Sequence, residues 1–208
     1  MNKNKRVVVG MSGGVDSSVT ALLLKQQGYD VVGLFMRNWE YGIKGSQCPN
    51  RIEFEDAKKV GALIGIEVLG KDFVKEYKDR VFDVFLDGLK QGLTPNPDIL
   101  CNREIKFNVF LNEAKKMGAD MIATGHYAKI AKYKDHYVLD TPKDSSKDQT
   151  YFLHALSSEQ LSHAMFPLGD LTKKEVREIA RAHNLPVSDK KDSTGICFIG
   201  NQKFDEFI

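Results

Sequence analysis

Short, continuous apolar runs alternate along the first part of the chain with stretches that have helical spacing. Residues 6–11 form an apolar, β-branched run, which a glycine pair separates from a helical stretch ending at Gly28. A second apolar run covers residues 30–36. Strands buried on both faces of a parallel sheet give such runs, and their covering helices have a period of about 3.6 residues. The pattern therefore predicts an α/β fold with a doubly wound, mainly parallel sheet.

The alternation continues to residue 124 and is interrupted by one loop that contains two prolines. Each proline removes a backbone donor and restricts the residue before it, so residues 94–98 are predicted as a rigid, non-helical loop that feeds a helix. The other elements predicted in this part are helices at about residues 54–64, 73–89 and 100–117 and strands at 66–69 and 120–124.

After residue 125 the pattern changes character. Residues 129–139 alternate around a turn at Lys134 and Asp135, which predicts an antiparallel hairpin. The sheet is therefore expected to leave its doubly wound plan here.

The last part of the chain is predicted to be a smaller helical unit. Residues 141–149 form a polar loop, and Thr172 with Glu175 makes a capping-box pattern at the start of a helix that runs to about His183. We therefore expect a nucleotide-binding domain over residues 1–140. Residues 141–208 would add the polar loop and a small helical unit that carries Cys197.

Composition narrows the functional classes. With 208 residues, 42% of them hydrophobic, the chain can form a sizeable core, and it has no apolar run of the roughly 18 residues that cross a membrane. A cytosolic protein is expected. A formal net charge of +2 is close to neutral, so any nucleic-acid binding would have to come from local patches. Such patches are Lys129, Lys132 and Lys134, and Lys190 and Lys191.

The three cysteines are Cys48, Cys101 and Cys197, and their spacing predicts neither a disulfide framework nor a metal site. Cys101 lies in the first turn of a predicted helix, whose dipole would lower the thiol pKa. Asp98 is near enough in sequence to move a proton there. A buried apolar role is the alternative for Cys101 and the favoured interpretation of Cys48. The surroundings of Cys197 are too polar for a simple core residue.

Residues 12–18, SGGVDSS, lie between the first strand and the first helix, at the edge where parallel sheets bind ligands. The glycine pair allows a close backbone approach, and the first helical turn offers N–H groups that suit a phosphate. The pattern is neither a Walker A loop nor a dinucleotide fingerprint. It resembles the SGGxDS pyrophosphate loop of ATP pyrophosphatases. The alternative is an ordinary strand-to-helix turn capped by Asp16 or Ser17.

Five blocks together resemble the tRNA-specific 2-thiouridylases, a family of PP-loop enzymes, and occur in that family's order. The blocks are residues 10–17 (GMSGGVDS), 96–107 (NPDILCNREIKF), 125–128 (GHYA), 147–153 (KDQTYFL) and 192–198 (DSTGICF). The resemblance implies an adenine nucleotide alpha hydrolase-like (HUP) fold. It also implies a sulfurtransferase that uses ATP and Mg²⁺ to adenylate the oxygen on C2 of the wobble uridine in tRNA and then replaces that oxygen with sulfur. The sulfur would come from a persulfide passed on by a relay protein.

The resemblance also assigns roles to residues at the matching positions. Cys101 would be the nucleophile, Cys197 the persulfide carrier and Asp98 an acid or base. The target base would lie against Asn96, Pro97 and Asp98, and tRNA would contact His126, Lys147, Asp148 and Gln149. ATP would lie against Gly10, Met11, Ser12, Gly13, Gly14, Val15, Asp16, Ser17, Met36 and Gly125. A structural role is the equal alternative for His126.

The family usually continues into further β domains that hold tRNA, and nothing in this chain matches them. Lost phosphate contacts reduce affinity for nucleic acid steeply. A second hypothesis is therefore an ATP-binding module of this family that does not turn over tRNA on its own. A third is another ATP pyrophosphatase, such as an amidating ligase or an iron–sulfur tRNA thiolase. The absence of a glutaminase segment and of cluster-type cysteine spacing counts against it.

Overall fold

A computed structural model of the chain describes residues 5–40, 48–192 and 198. Within that part, five parallel strands form one sheet in the order β3-β2-β1-β4-β7, and two antiparallel strands form a hairpin. The predicted doubly wound sheet and the predicted hairpin are both confirmed. The strands are β1 (Arg6–Met11), β2 (Asp30–Arg37), β3 (Val68–Asp72), β4 (Met121–Ala123), β5 (Lys129–Tyr133), β6 (His136–Asp140) and β7 (Ala164–Met165).

The strand order reverses beside β1, because β2 and β4 lie on its two sides. The loops that leave the carboxyl ends of β1 and β4 therefore open a crevice, the usual ligand position of such sheets. The chain leaves the doubly wound plan after residue 125, as expected, but only for the length of the β5–β6 hairpin. After the hairpin, β7 returns and pairs with β4 through Ile122 and Ala164, and a two-residue strand is too short to give a periodic signal.

Helices cover the sheet, and several differ from their predicted bounds. The helices are α1 (Val15–Gln26), α2 (Pro49–Ile64), α3 (Val74–Tyr77), α4 (Asp83–Lys90), α5 (Pro97–Leu100), α6 (Phe110–Lys116), α7 (Thr150–Leu153), α8 (Ser158–Ser162) and α9 (Lys173–Ala182). Two π-helical segments, Lys78–Phe82 and Cys101–Val109, lie between α3 and α4 and between α5 and α6. A short 3₁₀ segment covers Ser145–Lys147.

The helical run from α5 to α6 begins before the predicted position. Pro97 and Asp98 are helical, although both were expected to belong to a rigid, non-helical loop. The Asn96 side chain accepts hydrogen bonds from the backbone N–H groups of Asp98 (2.9 Å) and Ile99 (3.4 Å). Pro97 occupies the first helical position, where its missing N–H would have no partner in any case. The proline that excluded a helix in the sequence pattern therefore begins one.

Two clusters of buried side chains lie on the two faces of the sheet. Val8 of β1 belongs to a cluster with Phe110 of α6, whereas Val7 and Val9 belong to one with Val176 of α9. Successive strand residues point to opposite faces, so β1 contributes to both clusters. Residues after 140 thus supply β7 and α9 to the same layered structure. The proposed division at residue 140 stays a prediction.

Among the described helices, none combines the length and the apolar character that a membrane span needs.

The predicted capping box at the start of α9 is confirmed, and it should contribute measurably to stability. The Thr172 hydroxyl accepts from the Glu175 N–H at 3.2 Å, and the Glu175 carboxylate accepts from the Thr172 N–H at 2.6 Å. We expect Thr172→Ala to lower the free energy of unfolding by about 1 kcal/mol in urea denaturation. Thr141→Ala is the matched control, because Thr141 is exposed and outside any helix. Equal losses in both variants would contradict the cap assignment.

Candidate active site

The loop between β1 and α1 is held in shape by its own serines. Gly14 is the N-cap of α1, with an extended backbone. The Ser17 hydroxyl accepts from the Ser12 N–H and lies near the Ser12 hydroxyl, both at 3.1 Å. The Ser18 hydroxyl donates to the Gly14 carbonyl at 2.7 Å. The loop is thus fixed against the first turn of α1 by hydrogen bonds within itself.

Glycines at two positions allow neighbouring backbone to approach this loop. Gly13 has a φ of +71°, and a Cβ there would lie 2.3 Å from the Glu53 carbonyl oxygen of α2. Gly125 follows β4, and a Cβ there would lie 2.8 Å from the Ser17 nitrogen. The structure therefore brings Gly125 against the loop, although more than a hundred residues separate them in the chain. Both positions exclude any side chain.

Met36 also lies close to the start of the loop. A Cβ on Gly10, at the end of β1, would lie 3.3 Å from the Met36 methyl group. These two residues occupy the adjacent strands β1 and β2, near their carboxyl ends. The residues that were predicted to contact ATP on β1, on β2 and in the loop after β4 thus lie together at one edge of the sheet.

Asp16, in the first turn of α1, is the centre of a polar network that the sequence did not predict. The Tyr127 hydroxyl donates to Asp16 Oδ1 at 2.9 Å. The Lys173 ammonium donates to both Asp16 oxygens at 2.8 Å and contacts Asp192 at 2.8 Å. Burial, together with the charge of Asp16 and its hydrogen bond, raises the pKa of Tyr127, so that hydroxyl stays protonated and donates.

Lys190 contacts the loop from a different direction. Its ammonium donates to the Gly13 carbonyl and to Asp56, each at 2.9 Å. The sequence marked Lys190 only as part of a basic patch, whereas the exposed Lys191 beside it has no such contact with the loop. Two lysines from the end of the described chain therefore lie at the loop. Nothing in the local pattern could have identified Lys173, which is 157 residues from Asp16.

Cys101 departs from its expected environment. It is the residue after α5, one turn beyond the helix start, and only 6% of it is exposed. Burial raises the pKa of its thiol, the nearby Lys106 opposes this shift, and the Asp98 carboxylate adds to it. The expected lowering by a helix dipole is therefore wrong, because desolvation of a buried thiolate outweighs a dipole that acts mainly within the first turn.

Asp98 has a similarly shifted carboxyl group. Burial raises its pKa, and the positive charge of Lys106 acts against that rise. A carboxyl group with a raised pKa can exchange protons more readily near neutral pH. Asp98 and Cys101 lie one helical turn apart, so they share one face of the helix. This arrangement is compatible with proton transfer between them.

The π-helical segment after Cys101 connects two of the sequence blocks. Asn102 is buried, and its side-chain amide donates to the Phe152 carbonyl at 3.2 Å. The block at 96–107 is thereby fastened to the block at 147–153. Inserted π-helical turns are frequent at functional sites. Cys101 is the first residue of this one.

The residues assigned to tRNA are engaged within the protein. His126 is buried beside Phe107 and Phe166, and its Nδ1 lies 2.7 Å from the Thr124 hydroxyl. Burial, with the charge of Lys106, lowers the pKa of His126 well below its ordinary value, so the ring is neutral at pH 7. These contacts fit the structural interpretation of the histidine. Its contact with tRNA stays a prediction.

The other three residues of that group also form hydrogen bonds or ion pairs within the protein. Lys147 pairs with Asp192 at 3.0 Å, and the Gln149 side chain accepts from the Tyr127 N–H at 3.0 Å. Asp148 accepts from the backbone and hydroxyl of Thr150 at 2.9 and 2.7 Å. They lie close to the loop network, and their role in tRNA binding also stays a prediction.

Cys197 lies outside the described residues. The residue that follows it, Phe198, is buried in an aromatic group with Trp39, Phe82 and Phe85. Phe198 and Cys101 belong to the same buried cluster. Cys48 is partly exposed and immediately precedes α2. No role is assigned to it.

Comparison with known proteins identifies close relatives of this chain. A family model described as the tRNA methyl transferase HUP domain matches residues 5–201. All 208 residues align at 95% identity with tRNA-specific 2-thiouridylase MnmA 2 of Aliarcobacter butzleri (strain RM4018). They align at 57% identity with tRNA-specific 2-thiouridylase MnmA of Nitrosomonas europaea. The aligned part is 57% of each relative, so the chain spans little more than half their length.

Two solved structures share the fold. The NMN synthetase from Francisella tularensis superposes with a TM-score of 0.55 over 96% of this chain and 71% of that one, at 18% identity. A glutamine-dependent NAD+ synthetase from Acinetobacter baumannii, in complex with ADP, gives a TM-score of 0.55 over 90% of this chain and 32% of that one, at 16% identity. The predicted HUP-type fold is confirmed by these similarities, which at such identity concern the fold alone.

The close approach at Gly13 should make that position intolerant of any side chain. Gly13→Ala adds a Cβ at a positive φ and against the Glu53 carbonyl, so we expect a loss of at least about 2 kcal/mol in the free energy of unfolding. Gly14→Ala is the matched control. Its φ is −101°, and its Cβ would lie 3.4 Å from the Ser12 hydroxyl. Urea denaturation of both variants tests this, and a similar small loss at both positions would refute the argument.

The buried Cys101 thiol should react slowly and only at high pH. Because the thiolate is the nucleophile, a raised pKa moves the rise of the alkylation rate to higher pH than the value of about 8.5 for a free cysteine. Iodoacetamide labelling of the folded protein, followed peptide by peptide in mass spectrometry, measures this profile. A rise at lower pH than in a free cysteine would restore the helix-dipole interpretation.

Proposed function

Because the chain belongs to the tRNA methyl transferase HUP-domain family and matches tRNA-specific 2-thiouridylases over its full length, we propose that it carries out ATP-dependent 2-thiolation of tRNA. The substrate would be the wobble uridine, and the products 2-thiouridine, AMP and pyrophosphate. The enzyme would be a tRNA-uridine 2-sulfurtransferase, active in the cytosol, where tRNA and ATP are available.

One observation carries this proposal most directly. The loop at residues 12–17 is held rigid at the carboxyl end of β1, with two lysine ammonium groups beside it. Backbone N–H groups at the start of a helix, together with nearby cations, suit a polyphosphate. The other proposed ATP contacts, Met36 and Gly125, lie at the same edge of the sheet. These features support ATP as the activating substrate.

Activation is needed because the oxygen on C2 of uracil is a poor leaving group. In the proposed reaction, this oxygen attacks the α-phosphorus of ATP, the bond to the β-phosphate breaks, and pyrophosphate leaves. Asp98 would accept the proton from N3 of the base, since its raised pKa favours proton exchange near neutral pH. Asn96 and Pro97, which begin the same helix, would lie against the base.

Sulfur transfer then requires two thiols. The outer sulfur of a persulfide on Cys197 forms a bond to C2, and AMP leaves with the former oxygen. The Cys101 thiolate attacks the inner sulfur, so the transferred sulfur takes the electron pair of the broken S–S bond and the cysteines become a disulfide. If Cys101 instead attacks first, a bound sulfide is released and the same disulfide forms. Both routes therefore give the same products: the thiolated base, AMP and a disulfide between the two cysteines.

The burial of Cys101 has a consequence for this sequence of steps. A thiol with a raised pKa needs a base or a local rearrangement before it can attack. Asp98, three residues before Cys101, would first have to release the proton taken from N3, and the π-helical turn that begins at Cys101 offers a place where the helix can adjust. We infer that Cys101 becomes reactive only after the target base has bound.

The remaining partners follow from the same chemistry. Mg²⁺ would arrive with ATP and reduce the negative charge of its phosphates. The described residues contain no group of three or more metal-ligating side chains, and Asp16 is the one acidic residue within the loop at residues 12–18. A relay protein would supply the persulfide sulfur. His126, Lys147, Asp148 and Gln149 remain proposed tRNA contacts.

A second function is favoured by the extent of the chain. Its 208 residues correspond to 57% of each of the two relatives described above. If the remaining part supplies essential tRNA contacts, this chain would bind ATP without turning over tRNA on its own. The alternative keeps the nucleotide loop and differs only in its dependence on tRNA.

The formation of AMP separates the two functions. We expect the 208-residue chain, given ATP and Mg²⁺, to release AMP and pyrophosphate at least about tenfold faster when tRNA is present, because the accepting oxygen is on the base. Labelled ATP and thin-layer separation of AMP measure this rate. ATP binding without tRNA-dependent AMP would favour the binding module, and no ATP binding at all would overturn both functions.

The role of Cys197 is tested in the same assay with a persulfide donor added. Cys197→Ser should yield no thiolated tRNA and should bind ATP as the unmodified chain does. Cys48→Ser is the matched control, because it removes a thiol from a site with no assigned role. Unchanged thiolation in Cys197→Ser would disprove the persulfide assignment.

A further inference from the structure

The Lys173 ammonium occupies an unusual position, between two carboxylates and beside the nucleotide loop. It donates to both oxygens of Asp16 and contacts Asp192, all at 2.8 Å. The Lys173 Nζ atom lies 5.9 Å from the centroid of the Tyr127 ring. Only 12% of the side chain is exposed. This is a largely desolvated cation, and such contacts are stronger than those of surface lysines.

The backbone that carries Lys173 is firmly held. Lys173 is the first residue of α9, and its N–H donates to Asp144 at 2.8 Å. The capping box of Thr172 and Glu175 closes the same helix end. A flexible four-carbon side chain thus extends from a fixed point toward the loop. The ammonium can change partners without any movement of the helix.

The two carboxylates would retain partners if Lys173 turned to another anion. Asp192 would keep its contacts with Lys147 at 3.0 Å and Arg177 at 2.8 Å. Asp16 would keep the Tyr127 hydroxyl at 2.9 Å. Burial alone would raise the pKa of Asp192, but its hydrogen bonds from Lys173 and Lys147 outweigh this and hold it at about 2. Neither carboxylate would therefore be left buried and unpaired, which is the usual cost of breaking such a pair.

We propose that Lys173 is a pyrophosphate-binding residue of the loop and that Asp192 competes with the bound anion for its ammonium. The anion's identity rests on the proposed function. Lysine suits this role, because its compact charge carries three donors that can turn from a carboxylate to a phosphate oxygen. An anion in the loop would take the ammonium from Asp192, and Asp192 in turn would weaken the binding of that anion.

The proposal predicts opposite effects for two charge-removing substitutions. Lys173→Met should weaken the binding of pyrophosphate and of ATP at least about tenfold, as expected for the loss of one charge-assisted contact. Asp192→Asn should strengthen pyrophosphate binding about three- to tenfold, because it removes the competing carboxylate. Isothermal titration of the 208-residue chain with sodium pyrophosphate, and separately with ATP and Mg²⁺, measures both effects.

Matched controls are available beside each position. Lys174→Met removes the same charge from a side chain that is 86% exposed and pairs with Glu178 at 3.9 Å. Asp189→Asn removes a carboxylate that is 77% exposed and paired with Arg181. Because surface charges act only weakly through solvent, both controls should bind pyrophosphate within about twofold of the unmodified chain. Far-UV circular dichroism and the melting temperature establish that each variant is folded.

The outcomes separate the inference from the proposed function. Weaker binding in Lys173→Met with tighter binding in Asp192→Asn supports the competition. If the unmodified chain binds ATP and both substitutions leave pyrophosphate binding unchanged, the inference is wrong and the proposed function stands. If Lys173→Met fails to fold, Asp192→Asn decides alone, and unchanged or weaker binding there overturns the competition. If the unmodified chain binds neither ATP nor pyrophosphate, the proposed function fails as well.

Discussion

The close backbone packing around Gly13 and Gly125 is the constraint on which the rest of the site depends. A side chain at either position would collide with main-chain atoms of a neighbouring element, at 2.3 Å from Glu53 and 2.8 Å from Ser17. Because neither glycine carries a side chain, the loops after β1 and β4 meet at the point where the strand order reverses. The N–H groups at the start of α1 face the crevice that results, and the nucleotide chemistry proposed for the protein requires this geometry.

The positive charge at this crevice comes from the part of the chain after residue 140, which follows the first four strands of the sheet and the hairpin. Lys173 begins α9, Lys190 follows that helix, and both ammonium groups lie within hydrogen-bonding distance of the loop or its aspartate. Each also has a carboxylate partner, Asp192 or Asp56. The cations are thus held near their place before any phosphate binds, which reduces the entropy lost on binding. The helical segment after residue 140 is therefore part of the proposed nucleotide site.

In the proposed sulfur transfer, the reactivity of the Cys101 thiol is controlled by its burial. Desolvation raises the pKa values of both Cys101 and Asp98, one helical turn apart. A buried thiol is protected from oxidation and alkylation, and it remains unreactive until its surroundings change. Phe198, which directly follows Cys197 in the chain, lies in the same buried cluster as Cys101. The interior that protects one sulfur also anchors the chain beside the other.

The sequence alone determined the features that depend on local interactions. The alternation of β1, α1 and β2, the glycine–serine loop, the β5–β6 hairpin and the Thr172 capping box all follow from periodicity and turn chemistry within a few residues. Only the tertiary structure decided the return of β7 to the sheet, the burial of Cys101 and His126, and the placement of Lys173 beside Asp16. Those features depend on packing between segments far apart in the chain. Desolvation and long-range contacts have no local pattern, and here they outweighed the helix dipole that the sequence suggested for Cys101.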